Sequence, residues 1–166
     1  SAGYLMTRLE ALPPDLRGDV RIPPHFASAP WLVTKMWLSA PGLVSLLHRD
    51  LADNLNVTIH GLKRFTLFSP DDDDLLYPHG LLSSLPNAAR VDPESPDLAR
   101  YPRLRDAQPL VVDLGPGEGI YIPRRWWHHV RTLRPTISMN FFWASGPWLG
   151  VVVAAVLFKR ARGLSR

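Results

Sequence analysis

The chain contains no cysteine. Disulfides, thiol nucleophiles and Cys-ligated zinc are therefore excluded, and a reducing, cytoplasmic setting is expected. Lysine is almost as scarce: three of the 19 basic residues are lysine and the rest arginine. The net charge of +4 is spread along the chain. No basic stripe with interleaved aromatics stands out, so nucleic acid is not an expected partner. No signal-peptide pattern opens the sequence, and "SAGYLM" carries no initiator Met, as in a fragment of a longer chain. Long apolar runs are also missing. The longest uncharged stretch, "FFWASGPWLGVVVAAVLF" at 141–158, is broken by Gly146-Pro147. The apolar remainder beyond the break is too short to cross a bilayer, so no membrane span is expected. It reads as a buried or interface helix whose basic "KRAR" end suits a helix C-terminus.

The residues that are present suit one soluble domain. The chain has 166 residues, with 46% apolar and 20% charged. Its 17 prolines favour short segments separated by turns. "YLMTRLEAL" has helical spacing, and the Pro-rich residues up to 30 read as loop, giving an N-terminal extension over 1–30. From residue 31 the pattern becomes β-rich. "WLVTKMWLSA" and "LVSLLHRD" are strand candidates, and "NLNVTIH" with "KRFTLFSP" around Gly61 predicts a hairpin. Residues 71–106 are polar and turn-rich, with a short helix expected in "SPDLARYPRL". "PLVVDLGPGEGIYIPRRWWHHV" and "TISMNFFW" restore strand character. Short strands without alternating long helices predict an all-β core over 31–145, an antiparallel barrel or double-sheet jelly roll. Residues 146–166 are expected to form a C-terminal helix.

The chemistry hinges on "LLHRDLADN". A kinase catalytic loop needs Asn five residues after its Asp, and Leu55 stands there. On a strand, His48 and Asp50 share one face with Arg49 opposite. An imidazole and a carboxylate on one wall make two-thirds of a facial triad open to non-haem iron, and a distant His must supply the third ligand. Taken alone, His-x-Asp more often marks a solvated strand end. Alternation lets only one of His128 and His129 face inward, without choosing between them. Lys63, if inside a barrel, needs an anion. Taken alone, it reads more simply as a solvent-facing lysine on an edge strand.

Taken together, "HRDLADNLNVTIHGLKRFTLFSP", "LLYP", "GPGEGIYIPRRWWHHV" and "ISMNFFW" resemble the JmjC/cupin-8 family of Fe(II)- and 2-oxoglutarate-dependent oxygenases, over roughly residues 36–143. The resemblance implies a double-stranded β-helix with peripheral helices. It implies His48, Asp50 and His128 as metal ligands, with His129 facing away. It further implies Lys63 as the partner of the distal carboxylate of 2-oxoglutarate, with Ser45, Asn54 and Asn140 beside the cosubstrate. Ser45 replaces a more usual Thr, Leu47 stands at an often smaller position, and the family's additional Tyr has no motif to locate it. The region ahead of the core is short for the family.

The implied activity is a dioxygenase that turns 2-oxoglutarate and dioxygen into succinate and carbon dioxide. It would hydroxylate an amino-acid side chain in a peptide, a protein or a free amino acid. N-methyl demethylation begins with the same step. The rivals are a cupin-like scaffold without turnover and a metal-dependent cupin that does not use 2-oxoglutarate. Trp126 and Trp127 read as core, Arg124 and Arg125 as surface, and Asp71–Asp74 as a solvated turn. Family relatives dimerise through C-terminal helices, so residues 147–158 are expected to form a homodimer contact.

Overall fold

Apolar, β-branched and aromatic residues crowd "WLVTKMWLS" and the runs on both sides of "RPTISMN", and these stretches build the central ladder. The computed structural model describes residues 3–26, 29 and 31–161. Strand β2 (Trp31–Ser39) pairs antiparallel with the long C-terminal strand β7 (Trp127–Ala144), and β7 pairs with β4 (Asp53–Phe68). Strand β1 (Tyr4–Arg8) adds to β2, and β5 (Leu110–Leu114) adds to β4, giving the order β1-β2-β7-β4-β5. Two short strands complete the wall: β3 (His48–Arg49) on β7, and β6 (Gly119–Ile122) on β4. The result is the expected jelly-roll core with an apolar C-terminal helix, α1 (Pro147–Ala161).

Three segments differ from the sequence expectation. "YLMTRLEAL" begins as strand β1 and closes with one 3-10 turn, Leu9–Ala11, because pairing to the edge of β2 outweighs its helical spacing. The hairpin expected around Gly61 is instead one continuous strand, β4, with pairing irregularities against β7 between Thr58 and Lys63. Gly61 sits at φ +86°, where an added Cβ would lie 1.9 Å from the Pro135 carbonyl oxygen. Gly61 therefore serves a bulge with close backbone approach, and the bulge accommodates Pro135 within the neighbouring strand. Finally, "SPDLARYPRL" makes a turn capped by Asp97, whose Oδ1 accepts from the Arg100 amide, followed by a 3-10 helix at Pro102–Asp106.

The bulge has a functional effect. Before it, Asn54 and Asn56 face the interior; after it, Lys63 and Phe65 do so. A regular strand would put the even and odd positions on opposite faces. The irregular stretch therefore brings Lys63 to the same cavity as the asparagines.

Apolar side chains close both sides of the sheet. Leu47, Phe68, Leu76, Val91, Leu104 and Trp127 seal the segment after β4 against its outer face. Leu9, Leu12 and Phe26 cover Met139 and Phe141. Helix α1 packs through Val152 against Ala52 and Ala144. No helix among the described residues is long and apolar enough to cross a membrane.

Candidate metal centre

Residues 42–49 run beside β7, although only His48 and Arg49 are regular strand. Ser45 holds the irregular part: its amide donates to the Val130 carbonyl at 2.9 Å, and its Oγ accepts from the Val130 amide at 2.9 Å. This brings His48 directly opposite His128 in register. The two rings lie 4.2 Å apart between centroids, and Asp50 Oδ2 is 3.6 Å from His128 Nε2. One donor atom from each of His48, Asp50 and His128 falls within 4.8 Å of the other two. His129 points to the other face of β7.

Both imidazoles are oriented from behind. His48 Nδ1 lies 2.8 Å from the Leu46 carbonyl oxygen, and His128 Nδ1 lies 3.2 Å from that of Trp126. With those protons on Nδ1, each Nε2 is left with its lone pair for a cation. Burial pulls the His128 imidazole down to about 4, and the neighbouring His48 adds to this. The ring is therefore neutral near pH 7, the form that coordinates metal.

The supporting contacts involve residues whose sequence pattern suggests ordinary surface. Asp73 accepts from Trp127 Nε1 at 2.6 Å and is ion-paired with Arg49, whose guanidinium lies 4.5 Å over the Trp127 ring. One carboxylate thus grips the residue after His48 and the residue before His128. Asp73 is a correction to the solvated-turn expectation, and no feature of a four-Asp run distinguishes it. Trp127 is fully buried, as expected of a core residue. The Arg125 amide donates to the Asp50 carbonyl at 2.7 Å, and Asn87 exchanges hydrogen bonds with the Arg49 backbone. Arg124 approaches Asp53, which also accepts from the Tyr121 hydroxyl.

A cavity of about 440 Å³ opens beside the three donors. Lys63, Asn54, Asn56 and Asn140 line it, and Ser45 lies at its wall. The asparagines form a chain: Asn56 Nδ2 donates to Asn140 Oδ1 at 2.9 Å, and Asn140 Nδ2 donates to Asn54 Oδ1 at 3.0 Å. Asn56 Oδ1 is buried without a hydrogen-bond partner. Asn56 is absent from the sequence-based candidates, although it lies two residues from Asn54 and alternation puts it on the same face. Lys63 is 6% exposed and donates to Ser138 Oγ at 2.7 Å. Burial pulls its ammonium down to about 8. Tyr4, stacked on Trp37, is the cavity's tyrosine among the described residues.

Fold and donor set together define a cupin-type jelly roll with two imidazoles and a carboxylate converging on its inner wall. The family model described as "Cupin-like domain" matches residues 3–147, and the chain belongs to this JmjC/cupin family. It is 37% identical over 135 residues to "Jumonji C domain-containing protein 5" of Drosophila melanogaster, covering 78% of this chain and 33% of the relative. It is 35% identical over 135 residues to "Lysine-specific demethylase 8" of Xenopus tropicalis, covering 79% and 30%. It is 34% identical over 134 residues to the human "tRNA wybutosine-synthesizing protein 5", covering 81% and 41%. The chain thus spans between 30% and 41% of the length of these relatives.

Proposed function

We propose that the protein is an Fe(II)- and 2-oxoglutarate-dependent oxygenase that hydroxylates an amino-acid side chain in a peptide, a protein or a free amino acid. The observation that carries this reading is Lys63. A buried ammonium faces the same cavity as the His48, Asp50 and His128 donors, with a serine hydroxyl as its hydrogen-bond partner among the described residues. A buried cation calls for an anion, and a dicarboxylate reaching from the metal donors to Lys63 supplies one. A scaffold or a cupin indifferent to 2-oxoglutarate has no need of Lys63 beside the donors.

In this reading His48, Asp50 and His128 hold the metal, one carboxylate offsetting part of its charge and leaving positions open for small ligands. Bound there, iron(II) with 2-oxoglutarate and dioxygen supplies oxidation of an unactivated C–H bond, with succinate and carbon dioxide as co-products. The chain's own residues do the positioning. The Leu46 and Trp126 carbonyls fix the two rings. Lys63, steadied by its bond to Ser138 Oγ, binds the distal carboxylate, Ser45 keeps the His48 segment against β7, and the Asn54–Asn140–Asn56 chain fixes polar atoms along the cavity wall. The apolar wall restricts water.

Mass spectrometry of candidate peptides or a lysate for a 2-oxoglutarate-dependent gain of one oxygen tests the proposal, together with succinate formation. His48→Ala and Asp50→Ala are each expected to abolish Fe(II)-dependent turnover. Full activity in either variant overturns the ligand assignment. Absence of succinate with every candidate substrate favours a scaffold or a cupin that does not use 2-oxoglutarate. Release of formaldehyde from an N-methylated peptide identifies the demethylase outcome.

A further inference from the structure

His129 adjoins the candidate metal ligand in sequence and faces the opposite side of β7. It is 3% exposed, and neither ring nitrogen makes a hydrogen bond. Burying an imidazole this way is costly unless something meets its nitrogens. The groups opposite it are anionic. Glu94 Oε1 lies 3.4 Å from His129 Nε2, and one donor atom from each of Asp92, Glu94 and His129 falls within 4.8 Å of the other two.

The spacing suits a shared cation. Two donors each about 2.1 Å from a tetrahedral zinc ion lie about 3.4 Å apart, which is the His129–Glu94 separation. The carboxylates are also held in place. Arg131 grips both oxygens of Glu94, and the Glu94 amide donates to Asp92 Oδ1 at 2.9 Å. Carboxylates that ligate metals commonly accept such outer hydrogen bonds. Arg131 leaves lone pairs on Glu94, and its guanidinium holds the carboxyl below the usual range.

We propose that Asp92, Glu94 and His129 form a second divalent-cation site, separate from the cavity, that takes zinc or another first-row ion with water completing its shell. Its effect is positional. It would tie the segment carrying Asp92 and Glu94 to the back of β7, one residue from His128. This proposal stands whether or not the protein proves to be an oxygenase.

The test uses the full chain, stripped of metal and titrated with Co²⁺ by calorimetry and visible absorption. Replacing His48 and Asp50 by alanine leaves the second site as the one able to bind. This background is expected to take up one equivalent, with a rise in melting temperature. Adding Asp92→Asn and Glu94→Gln is expected to abolish both uptake and shift. Those two side chains are exposed, so circular dichroism should show the fold intact even where His129→Gln does not fold. No uptake by the His48/Asp50 background overturns the proposal, as does uptake that survives Asp92→Asn with Glu94→Gln.

Discussion

A lysine ammonium moved out of water loses solvation that one serine hydroxyl does not replace, and Lys63 is in that position. Its amine is pulled from 10.5 to about 8 by burial. The unfolded chain therefore holds more protons than the folded one between those pH values, and ligand-free stability should rise with pH across that window. A carboxylate ligand needs the protonated form. Apparent 2-oxoglutarate affinity should be full below about pH 8 and fall above it, by up to about tenfold per pH unit, as equilibrium dialysis would show. Lys63→Ala removes one partner of a buried pair, a loss of about 3–5 kcal/mol, so the 2-oxoglutarate KM should rise about 100-fold or more. An unchanged KM would remove Lys63 from the site. Asp73 acts at one remove, through Arg49 and Trp127. Asp73→Ala should weaken Fe(II) or Co²⁺ binding by about 10–100-fold, with kcat at saturating metal far less affected. At this scale the Lys63 and His-x-Asp candidates became visible through the family resemblance of the motifs that carry them, since taken alone each reads as solvent-facing. Asp73 stayed hidden, because its role depends on a contact across 54 positions that nothing local encodes.

Strand β4 shows what a local pattern can and cannot say. Two β-rich runs around a glycine are the signature of a hairpin, and equally of one strand carrying a bulge; the decision lies in the partner strand. Here β7 pairs with β4 along almost its whole length, and Pro135 meets Gly61 where the pairing slips. The same long-range pairing turned "YLMTRLEAL" into an edge strand and left 42–47 as an irregular run beside β7. An all-β barrel or jelly roll was legible from short strands and turns, and the jelly roll itself from the family resemblance. The parity change that aims Lys63 inward was not, since it depends on the register between distant strands. Gly61→Ala tests the bulge. The positive φ alone costs about 1–3 kcal/mol, and the added Cβ would collide with the Pro135 carbonyl. Denaturant titration should show at least that destabilisation. In the folded fraction, 2-oxoglutarate affinity should drop while metal affinity is retained, because His48 and His128 are set opposite each other by the β3–β7 pairing and not by β4. Wild-type stability in Gly61→Ala would mean that the backbone there is regular.

The whole molecule places its apolar surface unevenly. Helix α1 uses Val152, with Trp148 and Leu149, to seat itself on Ala52 and Ala144, and Trp148 Nε1 donates to the Leu51 carbonyl next to the candidate metal segment. Among its described side chains, Val151, Val153 and Leu157 are 42%, 43% and 58% exposed. Val153 and Leu157, four positions apart, share one face of the helix; exposed apolar side chains placed this way often mark an interface, and a two-fold partner helix is the simplest cover for them. We propose that the protein is a homodimer through α1. Light scattering at micromolar concentration should give twice the chain mass. Val153→Glu with Leu157→Glu should give the single-chain mass, because each charge would be desolvated against its symmetry mate. The contact is also expected to stiffen the Leu51 end of the metal segment through Trp148, so the monomeric variant should bind Co²⁺ more weakly than the parent. A wild-type chain that runs as a monomer removes the dimer. A dimer that survives both glutamates moves it to another surface.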